Sequence, residues 1–282
     1  MRKVIIPTDF SENAFNALKF AAELFKYEKS EFYLLHAYAD EVYNTEGVLT
    51  QDFVDEFKEI TRKKTEEELE RTKNAILELF PNPRHSFNTI SAFGLLIDEV
   101  NDLVERENAD IIVTATRGKT NDRKMTFGSN TLQIIKYVQC PVLSIPGNYE
   151  YNDPKRILFP SNFMLPYQRR ELKLVGDMAR AFCSEVDLLY VSRFPMETFR
   201  QKDHRAAVEE QLYDIKTEFL QEEEMDKTKA ILEYINKGRA DLLVLVNSRH
   251  SYLENVLYRS TLDEIGLHPK IPFLVLQNFH RN

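Results

Sequence analysis

Two glycines separated by nine residues lie between an apolar segment and a predicted helix, in the loop 114–130. The loop ends in Gly128 and Ser129, where the helix is predicted to begin. The first turn of a helix offers unpaired N–H groups and the positive end of the helix dipole, so it can hold a phosphate. Glycine lets the backbone approach such an anion closely. The alternative is that Gly118 is a turn glycine and Ser129 a helix N-cap.

A carboxylate stands at the end of the first predicted strand. Asp9 follows the apolar residues 4–6, and in open α/β sheets ligands bind at the carboxyl ends of the strands. A carboxylate there can accept hydrogen bonds from ribose hydroxyls. The alternative is again a cap, because Asp9 or Ser11, followed by Glu12, resembles a capping box. Asp9 and the glycine loop become informative together, since a parallel sheet would bring both to one edge.

The elements that must position these residues alternate between strand and helix. Short apolar runs predict strands at residues 4–7, 32–35, 109–114 and 141–145, and a further strand is predicted at 86–91. Amphipathic spacing predicts helices between them, including one long helix over 51–79 that ends before two prolines. This alternation predicts a parallel, doubly wound α/β sheet with right-handed crossovers.

The second half of the chain repeats this plan. Residues 157–163 (ILFPSNF) align with 4–10 (VIIPTDF), and 240–244 (ADLLV) align with 109–113 (ADIIV). Two further strand segments match in the same order, so we infer an internal duplication. We predict one domain at 1–147 and a second at 154–282, joined by a linker too short to separate them widely.

The glycine spacing, Gly118-x9-Gly128-Ser129 before a Cys-Pro-Val strand, resembles that of the universal stress protein family. ATP-binding members of that family carry Gly-x2-Gly-x9-Gly-Ser/Thr at this place. The segment 7–11 (PTDFS) is similar to the family's first-strand motif, and 34–37 (LLHA) to its second-strand end. The resemblance covers both halves. It implies two tandem Rossmann-like (HUP-type) domains, each a five-stranded, mainly parallel sheet flanked by helices.

The resemblance also implies a site for an adenine nucleotide, ATP or AMP, with or without Mg²⁺. The residues that it implies for this site are Pro7, Thr8, Asp9, Ala37, Thr114, Ala115, Gly118, Gly128, Ser129 and Asn130. Asp9 would contact the ribose, Ala37 the adenine, and residues 128–130 the phosphates. Ala115 departs from the family, whose first glycine stands there, and its methyl group would narrow the pocket or shift the phosphates.

The second half departs further from the family pattern. Asn162 stands at the position of the aspartate, and Val246 at that of Ala115. Arg249 and Arg259 fall at the positions of the two glycines, and only Ser260 is retained. Bulky side chains where backbone should meet phosphate argue against a nucleotide site. We interpret this half as a degenerate partner with a packing or regulatory role.

Composition limits the compartment and the partners. The chain has two cysteines, so no disulfide framework is implied and a reducing compartment fits. No signal-peptide pattern opens the sequence and no apolar run is long enough to span a bilayer. The net charge of -8 argues against non-specific binding to nucleic acid or to a membrane surface. We therefore expect a cytoplasmic protein.

Each half ends on an apolar strand, at residues 142–145 and 273–276. Exposed apolar edges invite pairing, and members of the resembled family often dimerise through this strand. We predict that the two halves pair with each other as an intramolecular pseudo-dimer. A homodimer of the whole chain is left open.

Three functions compete at this stage. The first is a nucleotide-binding stress-response protein that changes its interactions with unknown protein partners. The second is an interaction module of the same fold that has lost nucleotide binding. The third is an adenylating enzyme, which ranks last because its usual Ser-Gly-Gly or His-Ile-Gly-His signatures are absent from the sequence. No general base or nucleophile stands out, so any ATP hydrolysis should be slow.

Overall fold

The computed structural model describes residues 1–43, 51–118, 128–196, 198–224, 226–247 and 270–278. The chain divides into two compact units, with the boundary between Asn148 and Tyr149. Each unit is described by itself below. Within the described residues, no helix has both the length and the apolar composition needed to cross a membrane.

The first unit is built on a parallel sheet. Its strands are β1 (Arg2–Pro7), β2 (Ser30–Ala37), β3 (His85–Ala92), β4 (Ile111–Ala115) and β5 (Val142–Ile145). They lie in the order β3-β2-β1-β4-β5, and every pair is parallel. The order reverses at β1, which lies between β2 and β4. All residues of β4 are buried, as its unbroken apolar run predicted.

Helices connect these strands. They are α1 (Glu12–Leu24), α2 (Ala39–Tyr43), α3 (Gln51–Leu79), α4 (Leu96–Glu107) and α5 (Ser129–Tyr137). In α1 the predicted apolar stripe is buried, and the Ser11 hydroxyl caps the helix by accepting a hydrogen bond from the Ala14 N–H. The predicted bounds of α3 are confirmed. The sequence analysis missed α2, because five residues are too few to show a helical period.

The second unit has the same strand succession. Its strands are β6 (Arg156–Pro160), β7 (Glu185–Val191), β8 (Thr217–Glu222), β9 (Leu242–Asn247) and β10 (Phe273–Gln277). They lie in the order β10-β9-β6-β7-β8 and are parallel. The described helices are α6 (Arg169–Phe182), α7 (Phe199–Gln211) and α8 (Lys227–Asn236). The predicted α/β class with parallel, doubly wound sheets is confirmed.

An aspartate just before the fourth strand of each unit fixes the start of the first strand. The Lys3 N–H donates to Asp110 Oδ2 at 2.9 Å, and the Asp110 N–H donates back to the Lys3 carbonyl at 2.9 Å. Asp241 holds Arg156 in the same way, at 2.9 and 2.8 Å. The two aspartates were aligned from the sequence, so the same residue type sets the same backbone arrangement in both units.

Candidate functional site

One cleft in the first unit lies at the carboxyl ends of β1, β2 and β4 and at the start of α5. Its cavity volume is about 280 Å³. β1 is the strand at which the order reverses, which is where open α/β sheets bind ligands. The structure brings together at this cleft every residue that the family resemblance implied: Pro7, Thr8, Asp9, Ala37, Thr114, Ala115, Gly118, Gly128, Ser129 and Asn130.

A tight turn carries Asp9 into the cleft. The Thr8 hydroxyl accepts a hydrogen bond from the Phe10 N–H at 3.1 Å, and Asp9 Oδ1 accepts one from the Ser11 N–H at 3.0 Å. Phe10 has a φ of 61°, a left-handed conformation that bulky residues rarely adopt. Ser11, not Asp9, is the N-cap of α1. Asp9 therefore has one carboxylate oxygen engaged in the turn and a second directed elsewhere.

That second oxygen lies against the glycine loop. A Cβ atom at Gly118 would lie 2.5 Å from Asp9 Oδ2, well inside contact distance. Gly118 is therefore needed because the aspartate approaches it, and not because of its backbone conformation. The Gly128 N–H donates to the Thr116 carbonyl at 2.8 Å, which closes the loop onto the end of β4. Asp9, Gly118 and Gly128 are thus neighbours, although 118 residues separate the first from the last.

Gly128 presents a different case. A Cβ atom there would meet the Arg117 Cα at 3.7 Å and the Gly118 N at 3.8 Å, which are ordinary van der Waals contacts. The protein itself does not require a glycine at this position. A glycine here leaves space beside the backbone that a ligand could fill.

The start of α5 also faces the cleft. Gly128 is the N-cap and Ser129 the first helical residue, so the alternative that Ser129 caps the helix is wrong. The N-cap residue is a glycine and therefore has no side chain with which to cap this end. The N–H groups in the first turn of any α-helix have no carbonyl acceptor within the helix. A helix N-terminus with such unpaired N–H groups attracts anions.

Ala115 lies at the wall of the cleft and is 6% exposed. Its backbone pairs with Ile145 of β5, and its carbonyl accepts a hydrogen bond from the Thr131 hydroxyl at 2.8 Å. The methyl group adds to the lining, and the cleft keeps its volume of about 280 Å³ with this side chain in place.

His36 lines the cleft as well, and it holds the turn that carries Asp9. Its Nδ1 lies 2.7 Å from the Thr8 carbonyl oxygen, and its Nε2 lies 3.0 Å from Glu41 Oε1. The ring packs on Phe10 with centroids 4.6 Å apart. With both nitrogens engaged and the side chain buried, His36 supports the site and does not offer a free catalytic nitrogen.

Several residues line the cleft beyond those that the family resemblance implied. They are Ala14, His36, Asp40, Leu96, Arg117, Thr131 and Ile134. Arg117 and Thr131 adjoin the glycine motif, so their position in the sequence could have suggested them. Asp40 follows the motif residue Ala37 by three positions but belongs to no motif, and only the fold brings Leu96 to the cleft. Lys119, Arg123 and Lys124, which with Arg117 make this loop basic in the sequence, lie outside the described residues.

The second unit repeats the turn but adds side chains around it. The Phe163 N–H donates to the Ser161 hydroxyl at 2.9 Å, the Met164 N–H donates to Asn162 Oδ1 at 3.1 Å, and Phe163 has a φ of 53°. Tyr167, from a longer loop before α6, places its hydroxyl on Ser161, and burial raises the pKa of this tyrosine to about 12.

Helix α7 also contacts this turn. Gln201 Nε2 donates to the Asn162 carbonyl at 2.8 Å, and His204 Nδ1 lies 2.9 Å from the Phe163 carbonyl. Val246 is buried at the end of β9. The substituted positions Arg249 and Arg259 and the retained Ser260 lie outside the described residues.

The doubly wound parallel sheet, with a cleft at its reversal point, places the first unit among the Rossmann-like α/β proteins. The sequence profile of the Universal stress protein family matches residues 1–146. The chain therefore belongs to the universal stress protein family.

Known proteins resemble the chain in sequence and in fold. Universal stress protein MJ0577 of Methanocaldococcus jannaschii is 30% identical, covering 51% of this chain and 94% of that protein. Universal stress protein YxiE of Bacillus subtilis is 25% identical, covering 51% of this chain and 97% of that protein. The solved universal stress protein of Archaeoglobus fulgidus covers 98% of this chain and 96% of its own, with a TM-score of 0.65 and 18% identity. This last likeness concerns the fold alone.

Proposed function

We propose that this is a cytoplasmic stress-response protein whose first unit binds an adenine nucleotide, ATP or AMP. The bound nucleotide would change the interactions of the protein with its protein partners. The observation that supports this most is the convergence of three distant segments, residues 7–9, 114–118 and 128–130, on one cleft.

The lining suits the parts of a nucleotide. Asp9 offers a carboxylate to the ribose hydroxyls at the carboxyl end of β1, where the turn with Ser11 holds it. Pro7 and Ala37 offer apolar surface to the base. The uncapped start of α5 offers N–H groups to the phosphates. The lining thus combines apolar surface with polar groups that converge on the same space, as small-molecule sites do.

Mg²⁺ would accompany ATP through the phosphates. The ion keeps several waters and is usually bound by substrate phosphates and one or two carboxylates. Among the described residues, no group of three or more His, Cys, Asp or Glu side chains is arranged to hold a metal ion. Asp9 and Asp40 are the carboxylates that line the cleft.

Isothermal titration calorimetry on the purified full chain tests the proposal. The protein is first desalted, and a denatured sample of it is analysed for co-purified nucleotide. ATP and AMP are then titrated with and without Mg²⁺. We expect saturable binding of at least one of the two nucleotides. An absence of both bound and titratable adenine nucleotide, in all four titrations, would contradict the proposal.

The second candidate function is a protein-interaction module of the same fold that no longer binds nucleotide. The Ala115 methyl group, which lines the cleft where the resembled family has a glycine, favours it. Ala115→Gly separates the two candidates. If the parent chain binds no nucleotide and Ala115→Gly restores binding, the module is the better description. If the parent chain binds, the first proposal holds.

A further inference from the structure

Arg117 is the one arginine or lysine among the described residues that line the cleft. It directly precedes Gly118, and one residue separates it from Ala115 at the end of β4. The neighbouring carboxylates of Asp9 and Asp40 give the same cleft a negative charge. Any phosphate that enters is therefore repelled by two carboxylates, and Arg117 is the side chain placed to offset them.

The guanidinium has no ion pair within the described part of the chain, although Arg117 is partly buried. Other arginines of the described chain are paired with Asp or Glu, namely Arg2, Arg62, Arg71, Arg106, Arg156, Arg180 and Arg205. Those that lack such a pair, such as Arg193 and Arg200, are exposed to water. A guanidinium at the lining of the cleft, without a counter-charge among the described residues, can pair with an anionic ligand there.

The backbone beside Arg117 identifies the kind of anion. The Arg117 Cα lies within contact distance of a Cβ built at Gly128, at 3.7 Å, so the arginine adjoins the uncapped start of α5. Helix N–H groups and a guanidinium fork both suit a tetrahedral phosphate, which can accept two parallel hydrogen bonds from arginine.

Resting on the nucleotide-binding function proposed above, we infer that the Arg117 side chain binds a phosphate of the nucleotide and makes the cleft prefer phosphorylated nucleotides to adenosine. Asp9, by contrast, contacts the ribose and recognises both kinds of ligand. The two residues thus divide recognition into a nucleoside part and a phosphate part.

The test compares adenosine, AMP and ATP by calorimetry on the full chain, at one ionic strength. The variants are Arg117→Gln, the conservative Arg117→Lys, and the control Arg106→Gln, which removes the same charge at an exposed position of the same unit. We expect Arg117→Gln to weaken AMP and ATP binding about tenfold or more and adenosine binding less than about twofold. Arg117→Lys should retain part of the preference, and Arg106→Gln all of it. Thermal unfolding should be unchanged in Arg117→Gln, because the side chain has no partner to lose.

Two results would overturn the inference while leaving the nucleotide site in place. In the first, AMP binds Arg117→Gln as tightly as it binds the parent chain. In the second, the variant loses affinity for adenosine and AMP equally, which indicates a structural role. Binding of none of the three ligands to the parent chain would instead overturn the proposed function itself, and the inference with it.

Discussion

The Asp9 carboxylate serves two purposes at once. Its Oδ1 holds the turn through the Ser11 N–H, and its Oδ2 lies against Gly118. Asn162 makes the equivalent turn bond in the second unit, at 3.1 Å from the Met164 N–H. The turn therefore needs only a side-chain oxygen. Under the proposed function, the charge of Asp9 would serve the ligand.

A reciprocal exchange at these two positions separates fold from binding. We expect Asp9→Asn to leave thermal unfolding nearly unchanged, because asparagine keeps the turn, and to weaken AMP binding about tenfold through the loss of a charged acceptor. Asn162→Asp, the matched control, should leave AMP binding unchanged. Calorimetry and circular dichroism measure both quantities. Equal AMP affinities in the parent chain and Asp9→Asn would remove Asp9 from the site.

The two glycines should respond differently to alanine. In Gly118→Ala the new methyl group would clash with Asp9 Oδ2 at 2.5 Å, and the carboxylate must rotate away. Because the end of a side chain moves easily, we expect a small loss of stability but a clear loss of nucleotide affinity. Gly128→Ala meets only ordinary contacts at 3.7 Å or more, so its stability should match the parent. A large loss of thermal stability in Gly128→Ala would contradict this view of the loop.

The sequence pointed to lining residues of the cleft where a motif marked them, and it missed lining residues that only tertiary structure brings there. Asp9, Gly118 and Gly128 were found because strand ends and glycine spacing are visible along the chain. Asp40 and Leu96 carry no such signal and reach the cleft through α2 and the start of α4. The left-handed φ of Phe10 and Phe163 was not predictable either, because aromatic residues disfavour it. Its recurrence in both units indicates a property of the fold and not of ligand binding.

At the scale of the elements, two helices end at a non-glycine residue with a strained, left-handed backbone conformation. Helix α6 ends at Cys183, an exposed residue with φ 52° and ψ 46°. Glycine is preferred at such left-handed caps, because a Cβ atom there crowds the backbone. Helix α4 ends in the same conformation at Asn108, a residue type that tolerates it better.

Cys183→Gly should therefore stabilise the protein. We expect a gain of about 1 kcal/mol in the free energy of unfolding, the order of the left-handed penalty. Cys183→Ala is the control, because it removes the thiol but keeps the Cβ, and it should give no gain. Denaturant unfolding of the three proteins measures the difference. Equal gains for both variants would point to the thiol and not to the backbone.

A second arrangement that joins the sheet to a helix recurs in both units, with the carboxylate and the tyrosine exchanged between strand and helix. In the first unit, Glu107 of α4 accepts hydrogen bonds from Lys3 Nζ at 3.0 Å and from the Tyr33 hydroxyl at 2.8 Å. In the second, the carboxylate is on the strand and the tyrosine on the helix, as Asp187 accepts from the Tyr234 hydroxyl. In each unit these hydrogen bonds join the sheet to the helix that follows the third strand.

This arrangement predicts a pH dependence. The Lys3 ammonium, followed by the Tyr33 hydroxyl, lowers the pKa of Glu107 below its usual value of 4.5. A lowered pKa in the folded state means stabilisation that is complete above pH 4.5 and is lost as the pH falls through the lower, folded-state value. Glu107→Gln should thus be less stable than the parent at pH 7, and the difference should disappear under acidic conditions. The exposed Glu105→Gln is the control. A difference that is independent of pH would contradict the assignment.

The fold of the individual elements was largely predictable from sequence. Apolar runs marked β1, β2, β4 and β5, since buried parallel strands are apolar throughout. The strand β3 is mostly polar and partly exposed, so its prediction did not rest on such a run. The long helix α3 was recognised by its periodicity and its terminal prolines. The loop of the second unit that carries Tyr167 was not anticipated, because its closing contacts with Ser161 are made by side chains that carry no motif.

At the scale of the whole molecule, the chain has two units of the same strand order, and we propose a nucleotide site in the first of them. The first unit keeps the cleft lined by the glycine motif. In the second, Tyr167 and Gln201 bond to the corresponding turn. Pairing of the two halves through their last strands, and any homodimer of the whole chain, stay predictions from the sequence.

The measurement that tests this account most directly is hydrogen–deuterium exchange of the full chain, with and without a saturating concentration of AMP or ATP. The proposed phosphate ligands are backbone N–H groups, and exchange reports on these groups themselves. We predict slower exchange in peptides that cover residues 7–11, 114–118 and 128–131, and no change in those that cover 157–163. Exchange that is unaltered by either nucleotide, or slowed only in the second unit, would contradict the account.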